Sequence, residues 1–334
     1  MDTKDIILAR HTLNKVLRKE LDKLNVVEVD TPIICPYPDI APVKQFITTH
    51  PTKGLIGTLR IAPTEYLKRI LILGLERIYE FSVNFRDEEF TTRHLSEFTS
   101  LEVMIKESDV FHMMDLSERF CKLAIEELNG SGNTIKFHSD AVITELAWEN
   151  EWKRVSLPKF LYDRYGFQPD FFFQSDKVKE LYREIFRTSF DPPQACAVED
   201  IITDISRQFS EPIFVYDFPS YVGGPAQPSK FDNRFKERAE LYFGGLEMAN
   251  MSSTLTDPIQ LRNWHVQSTG MKFLQGITPN ILDEPLLADI ERGLAKSAVL
   301  GLGIDRLLKT CLDIKDISQT RSFSYTKLFN NGHQ

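Results

Sequence analysis

Cysteine is scarce in this chain. Four residues, Cys35, Cys121, Cys196 and Cys311, are scattered over 334 positions with no CxxC pair. That spacing offers neither a zinc ribbon nor a dense disulfide framework, and it points to reduced thiols in the cytoplasm. Long hydrophobic runs are missing too. No apolar stretch approaches the roughly 18 residues of a membrane span. Residues 1–12 lack an apolar core followed by a small-residue cleavage site, so no secretory leader and no membrane partner are expected. Excess positive charge is also lacking: 40 Lys and Arg against 48 Asp and Glu leave a net charge of −8. This disfavours a sequence-independent nucleic-acid binder, which needs cations to displace counterions, although a local basic patch is compatible with that total. There are no repeats and no low-complexity tracts. What is plentiful is apolar: 42% hydrophobic residues, including 24 Phe, can build the core of one large domain or two ordinary ones.

Hydrophobic periodicity organises the chain. Leu13, Leu17, Leu21 and Leu24 recur at steps of three or four and predict an amphipathic helix over residues 5–25. Val26 to Ile34 alternates like a strand interrupted by Pro32, which suits a sheet edge or an interface. Residues 59–74 read as a helix opening near Pro63 and stopping at Gly74. Ile78 to Phe85 and Phe98 to Ile105 read as paired strands joined by a long turn over 86–97. Asp115 to Leu128 reads as a helix, with Asp115 and Glu118 as a capping box and Asn129-Gly130 as its stop. Residues 130–210 mix short helices with Pro-Pro and aromatic clusters and show no chemistry; they read as an inserted helical subdomain over the site. A strand follows over Pro212 to Phe218, then a hairpin over 237–250 turning at Gly244-Gly245. Leu286 to Gly293 is helical, Val299 to Gly303 a strand, and Ile304 opens a last helix. Strands outnumber long helices and hairpins link them, which predicts an α+β fold: an antiparallel β-sheet flanked by helices in a single domain.

One stretch, Arg86 to Glu102, gathers an arginine, a histidine, an aromatic and two well-spaced acids around one turn. That set suits ATP held bent against a carboxylate. The stretch (with its strands, about 78–105) resembles motif 2 of the class II aminoacyl-tRNA synthetases, and the helix and proline-ended strand over about 5–34 resemble motif 1, the two-fold dimer interface of that family. Forming an aminoacyl adenylate requires a carboxylate held against the α-phosphate, and compensation of the charge growing on phosphorus and on leaving pyrophosphate. Arg86 can bridge the two with two guanidinium donors. Glu88, two residues on along an extended strand, can accept from the adenine amine. Arg93 and His94 offer cations to the outer phosphates from the turn, and Phe98 offers a face for the purine, a stacking contact of about 1–3 kcal/mol. Glu240 and Glu247 lie on the two arms of the glycine hairpin, as a carboxylate pair of the kind that holds Mg2+, with Asn250 completing the cluster. Gly301-Leu-Gly-Ile-Asp-Arg306 runs from strand to helix (motif 3, about 286–312); Gly301 and Gly303 let backbone approach a nucleotide, and Arg306 is a second cation for the γ-phosphate or the adenine face.

Over nearly its full length the chain resembles the catalytic core of the lysyl-, aspartyl- and asparaginyl-tRNA synthetases. Arg60-Ile-Ala-Pro-Thr-Glu-Tyr-Leu-Lys-Arg69, Asn84-Phe-Arg-Asp-Glu88, Thr92-Arg-His94, Phe214-Val-Tyr-Asp217, Glu237-Arg-Ala-Glu240 and Gly303-Ile-Asp-Arg306 are most similar to lysyl-tRNA synthetase. The resemblance implies that Arg86, Glu88, His94, Phe98 and Arg306 bind ATP and that Glu240 and Glu247 hold magnesium. A lysyl-type synthetase carries an anticodon-reading OB barrel before motif 1, whereas this chain begins in the motif 1 helix, so no anticodon-binding domain is expected. Size and layout, and the Glu88-Glu89 pair, resemble the elongation factor P lysine ligase, a stand-alone paralogue that transfers an activated amino acid to a protein lysine.

The amino-acid pocket departs from both patterns. Thr64 stands where the family has a glutamate, with Glu65 one place later; Met104 follows Glu102 where the family has a tyrosine; and Thr254 replaces a glutamate that faces the lysine ammonium. Met251 and Ser252 replace a small residue and an aromatic near Asn250, and Ala295 and Val299 replace a proline and a glycine of motif 3. A buried ammonium without a carboxylate is costly, so the expected amino acid is not lysine, while Glu102 can still meet an α- or β-amine. The expected function is an ATP-dependent, amino-acid-activating ligase and homodimer whose acceptor is a protein lysine, a carrier protein or a small molecule. The net charge and the layout weigh against tRNA. A true elongation factor P (β-)lysine ligase is one alternative. A non-catalytic regulatory paralogue is another, against which the presence of Arg86, Glu247 and Arg306 counts.

Overall fold

A computed structural model describes residues 2–41, 43–130, 132, 134–139, 142–274 and 282–323. The first helix, α1 (Thr3–Lys23), forms where the leucine steps predict it, closed by a capping box between Asp2 and Asp5. Leu13, Leu17 and Leu21 on its inner face are fully buried. The following segment does not form one strand. It splits into β1 (Val27–Glu28) and β2 (Ile34–Cys35), which belong to different sheets. Arg60 explains the break: its guanidinium donates to the Thr31 carbonyl and hydroxyl and pairs with Glu80 at 2.6 Å, pinning the chain between the two sheets. Two strands not expected from sequence, β3 (Ile47–His50) and β4 (Leu55–Leu59), complete a three-stranded sheet in the order β2-β4-β3.

After α2 (Thr64–Ile72) come β5 (Arg77–Phe85) and β6 (Glu97–Lys106), an antiparallel ladder running from Arg77↔Ile105 to Phe85↔Glu97. Helix α3 (Val110–Asn129) starts earlier than the Asp115 box suggests. Asp109 accepts from the N–H groups of Phe111 and His112, and the Val110 N–H donates to Ser253 Oγ, so the orphan donors of the first turn are satisfied there. The helix ends at Gly130, at φ +74°.

The inserted region is not wholly helical. It opens with the hairpin β7 (Thr134–Ser139) and β8 (Val142–Ala147), continues into β9 (Lys153–Ser156), and then forms α4 (Leu157–Tyr165), α5 (Ser175–Phe186) and α6 (Gln194–Ser206). Strand β9 runs parallel to β10 (Ile213–Pro219) and becomes an edge of the central sheet. Next come β11 (Phe235–Phe243) and β12 (Leu246–Ser253), turning at Gly244 and Gly245 with φ of +52° and +91°. Both turn positions need the left-handed freedom of glycine. Helices α7 (Pro258–Leu274) and α8 (Glu284–Glu291) precede β13 (Ser297–Gly303) and α9 (Ile304–Cys311).

The central sheet has the order β1-β5-β6-β13-β12-β11-β10-β9, parallel only at its two ends, as the α+β reading expects. Leu101, Val103 and Ile105 of β6 pack with α1, α3 and α9 on one face. On the other face α2 and α8 cover Ile78 and Met104, while α4–α6 build a separate core with Ile213, Val215 and Phe218. The middle of that second face, between the two covers, stays open as a cavity. All four cysteines are free, and no helix among the described residues is long and apolar enough to cross a membrane.

Candidate active site

Strand register builds the floor. Glu102 on β6 pairs with Gly301 on β13, Gly301 with Asn250 on β12, and Asn250 with Glu240 on β11. These four residues form one row across four neighbouring strands, and Glu102, Asn250 and Glu240 line a cavity of about 820 Å³. That volume is in the range of small-molecule sites. The second row, Val299, Ser252 and Arg238, also lines it. Side chains alternate along a strand, so Met251, between Asn250 and Ser252, points away and packs with α3, where Ser117 Oγ lies 3.9 Å from its sulfur. Met251 therefore is not in the pocket as expected. Met104 is not either: it faces the right side of the sheet but is sealed under Leu67, Leu71 and Leu286.

A second, smaller cavity of about 100 Å³ adjoins the first and is lined by Glu88, Phe98, Gly301 and Gly303. Arg86, Arg93, His94, Glu247 and Arg306 line both, so the candidate nucleotide residues converge. The loop carrying them is anchored by backbone bonds from Arg86 N to Ser96 O and from Asp87 N to Lys44 O. The Arg86 guanidinium carbon lies 5.0 Å from the centre of the Phe98 ring, and its Nε is buried without a hydrogen-bond partner. Glu88 lies past the end of β5 and is exposed, in the loop rather than on an extended strand. Gly301 also makes room for the Glu102 carboxylate: a Cβ there would stand 3.0 Å from both its oxygens. Arg306 donates to the Glu247 carbonyl at 2.7 Å and to its carboxylate at 3.3 Å. Asp305 beside it accepts from Thr99 N at 2.6 Å and pairs with Arg10, which fixes the start of α9 against β6 and α1.

Electrostatics sharpen the picture. Burial pushes the Glu102 carboxyl up to about 7, against the stabilising bond from Ser100 Oγ at 2.7 Å. Burial first, then Arg306 and Arg93, push His94 down to about 4, so near neutral pH it is a neutral imidazole and not the expected cation, with Nδ1 2.9 Å from Thr91 Oγ1. Glu240 is held up by burial despite Arg238 at 2.6 Å and the Tyr242 hydroxyl at 2.5 Å. Burial also opposes the charge on Glu247, but Arg306, Arg238 and Arg86 outweigh it and hold that carboxyl low. Glu240 and Glu247 are thus arginine-paired carboxylates facing the cavity, not an unpartnered acid cluster. No group of three or more potential metal ligands occurs among the described residues.

Thr64, Glu65 and Lys68 of α2 also line the larger cavity, as do Asp39, Thr254 and Trp264. The inserted helices, whose sequence shows no chemistry, supply Tyr182 and Phe186 from α5 and Glu199 and Asp200 from α6. Arg207, just after α6, also lines the cavity and lies over Gly245, where a Cβ would come within 2.7 Å of its side chain. Nothing in the spacing of these residues marks them; their position depends on how the helices dock on β10.

Comparison with known proteins agrees with the geometry. Residues 1–327 match the family described as tRNA synthetases class II (D, K and N). The chain is similar to the lysine–tRNA ligase of Synechococcus sp. (strain CC9605), 32% identical over 324 residues, covering 95% of this chain and 63% of that protein. It is also similar to those of Clostridium novyi (strain NT), 29% identical over 335 residues (98% and 64%), and Syntrophomonas wolfei, 31% identical over 313 residues (92% and 62%). The chain therefore spans less than two thirds of the length of these curated relatives.

Proposed function

The chain belongs to the class II tRNA synthetases of the D, K and N group, and from that membership we propose that it is a ligase that activates an amino acid with ATP as an aminoacyl adenylate and hands it to an acceptor. The observation that carries this reading is the convergence of Glu102, Arg86 and Arg306 where the two cavities meet. Glu102 binds the substrate amine. Arg86 draws the substrate carboxylate and the α-phosphate together through its terminal guanidinium nitrogens. Phe98 stacks on adenine, Glu88 reads its amine, and Arg93, His94 and Arg306 attend the outer phosphates, His94 as a neutral donor. The carboxylate attacks the α-phosphorus, its bond to the β-phosphate bridge oxygen breaks, and pyrophosphate leaves with the released electron pair.

Glu247 and Glu240 would hold a magnesium ion that arrives with the triphosphate, Glu240 once its oxygens are released from Arg238 and the Tyr242 hydroxyl. Two carboxylate ligands beside phosphate oxygens are what that ion takes, and both line the cavity. When bound, magnesium neutralises charge on the departing pyrophosphate.

The acceptor of this proposal is an amine, thiol or hydroxyl of a protein or small molecule. The net charge of −8 supports it. The printed names of the relatives favour a second reading, with tRNA as acceptor; setting tRNA aside has no support from the comparisons. A homodimer through the motif 1 region is part of the proposal. Its support is a run of exposed apolar side chains on α1 and the three-stranded sheet: Ile7, Leu8, Ile34, Ile47, Leu55 and Ile56. Incubation with α-labelled ATP and an amino-acid pool tests the reaction class: AMP and pyrophosphate are expected, and ADP as the product would refute it. Adding bulk tRNA or a cell extract then shows which fraction consumes the adenylate.

A further inference from the structure

Apart from the two cavities of the candidate active site, we propose that a third pocket binds an organic ammonium on an apolar stem, gripped by the carboxylates of Asp217 and Glu237 inside a wall of aromatic side chains. The pocket, of about 550 Å³, lies between the start of α3, helix α4, the end of β10 and residues 229–231. That volume suits a small molecule. Phe111, Tyr162, Tyr216 and Phe231 line it. Phe111 and Tyr216 form an edge-on pair with ring centres 5.6 Å apart. Phe111, Tyr162 and Phe231 are 41%, 51% and 61% exposed, so three large aromatic side chains around one cavity remain open to solvent. Aromatic rings cover apolar stems and also attract cations. Among the described residues, Arg238 alone lines both this pocket and the larger cavity.

The charge of Asp217 is held by hydroxyls rather than by a cation. Its two oxygens accept from Ser229 Oγ at 2.8 Å and from Ser156 Oγ at 2.9 Å, and both serines line the pocket with it. A carboxylate oxygen that accepts one such bond has room for another. Burial pushes the Asp217 carboxyl up against those two bonds, and the nearby Glu237 adds to the rise. Glu237 lines the same pocket; its side chain is 12% exposed, and the nearest cation, Lys230, stands 3.9 Å away and is 86% exposed. The other cations here are paired elsewhere. Lys159 donates to Asp163 at 2.6 Å, Arg238 to Glu240 at 2.6 Å, and Arg154, close to Tyr216, pairs with Asp115. Two acids therefore share one loosely held lysine at the rim. A ligand ammonium can release Lys230 to water at little cost, since exposed pairs are weak, and supplies the counter-charge that Asp217 lacks. A ligand carboxylate meets repulsion from both acids.

The test is calorimetric titration of the full chain with phenethylamine, against 2-phenylethanol and 3-phenylpropionate as its neutral and anionic counterparts. The amine is expected to bind at least roughly 10-fold tighter than either. Asp217 sits at φ +61°, a backbone that asparagine also accepts, so Asp217→Asn tests the charge alone. Asp217→Asn and Glu237→Gln should each weaken the amine roughly 10-fold in protein shown to be folded by thermal melt; if the first variant unfolds, the second carries the test. Phe231→Ala, at an exposed position, should weaken it too. Glu102→Gln should leave the affinity unchanged, because that carboxylate belongs to the larger cavity. Acetyl-Phe-Lys-amide in the same titration separates two sources of the ammonium: tighter binding than phenethylamine points to a peptide side chain, weaker binding to a free amine, and both fit the proposal. Equal binding of the alcohol or the acid overturns it. So does unaltered affinity in both Asp217→Asn and Glu237→Gln, loss of binding in Glu102→Gln, or no binding of either amine at millimolar concentration. None of these outcomes depends on whether the chain forms an adenylate.

Discussion

Glu102 is asked to remain charged in a place that resists charge, and replacing it should therefore stabilise the protein while disabling it. Its carboxyl is 7% exposed and rises from 4.5 to about 7, chiefly through burial. An acid raised on folding keeps its proton in the native state after the unfolded chain has lost it. Stability from this group is thus highest below pH 4.5, falls as pH rises towards 7, and stays low above it. The shift corresponds to about 3 kcal/mol, an order-of-magnitude figure. Glu102→Gln keeps an oxygen for Ser100 Oγ and removes the ionisation. It should flatten the pH dependence between 5 and 7 and make the protein more stable than wild type at pH 8 by up to about 3 kcal/mol. The wild-type carboxylate is roughly one-tenth ionised at pH 6 and nine-tenths at pH 8, so kcat/KM for the amino acid should climb about 10-fold across that window. Urea melts from pH 5 to 8.5 and exchange kinetics on the same samples check both halves. A Gln variant that is less stable at pH 8, or that keeps wild-type kcat/KM with the wild-type pH profile, would refute the reasoning.

Other residues give independent checks. Gly301→Ala puts a methyl 3.0 Å from both Glu102 oxygens; it should cost about 1–3 kcal/mol of stability and raise the amino-acid KM far more than the ATP KM, and equal effects on both would contradict the floor geometry. Arg60→Ala strands Glu80, whose side chain is only 6% exposed, and should destabilise by about 3–5 kcal/mol; a denaturation midpoint near wild type would show that the split between β1 and β2 does not depend on this pair. Ile34 and Ile56 are 62% and 68% exposed; sedimentation should find a dimer at micromolar concentration and a monomer with an unchanged melt for Ile34→Asp/Ile56→Asp, whereas a monomeric wild type would remove the interface proposal.

The parts of the fold set by local rules were readable from sequence: leucines at helical steps gave α1, and the alternating runs gave β5, β6 and β10–β12 to within a few residues. Asn250 and Met251 cannot both face one side of a strand, and period-two counting alone puts Met251 in the core. Asp109 caps its helix as well as Asp115 might, and the apolar Val110, Met113 and Met114 mark the earlier start. Other features were beyond local reasoning. Met104 shares a face with Glu102, and only the docking of α2 and α8 decides that it is sealed off. The neutral state of His94 follows first from its burial and then from Arg306, which α9 brings across to it; Arg93 is its neighbour in sequence, but the other two causes are tertiary.

The central claim is that Arg86 brings a carboxylate to the α-phosphate of ATP in this cavity. The direct measurement is amino-acid-dependent exchange of labelled pyrophosphate into ATP, wild type against Arg86→Ala, with both proteins shown to be folded by the same thermal melt. The account predicts exchange with one class of amino acid in the wild type and its abolition in Arg86→Ala. Exchange at near wild-type rate in Arg86→Ala, or none in the wild type with any amino acid, would contradict it.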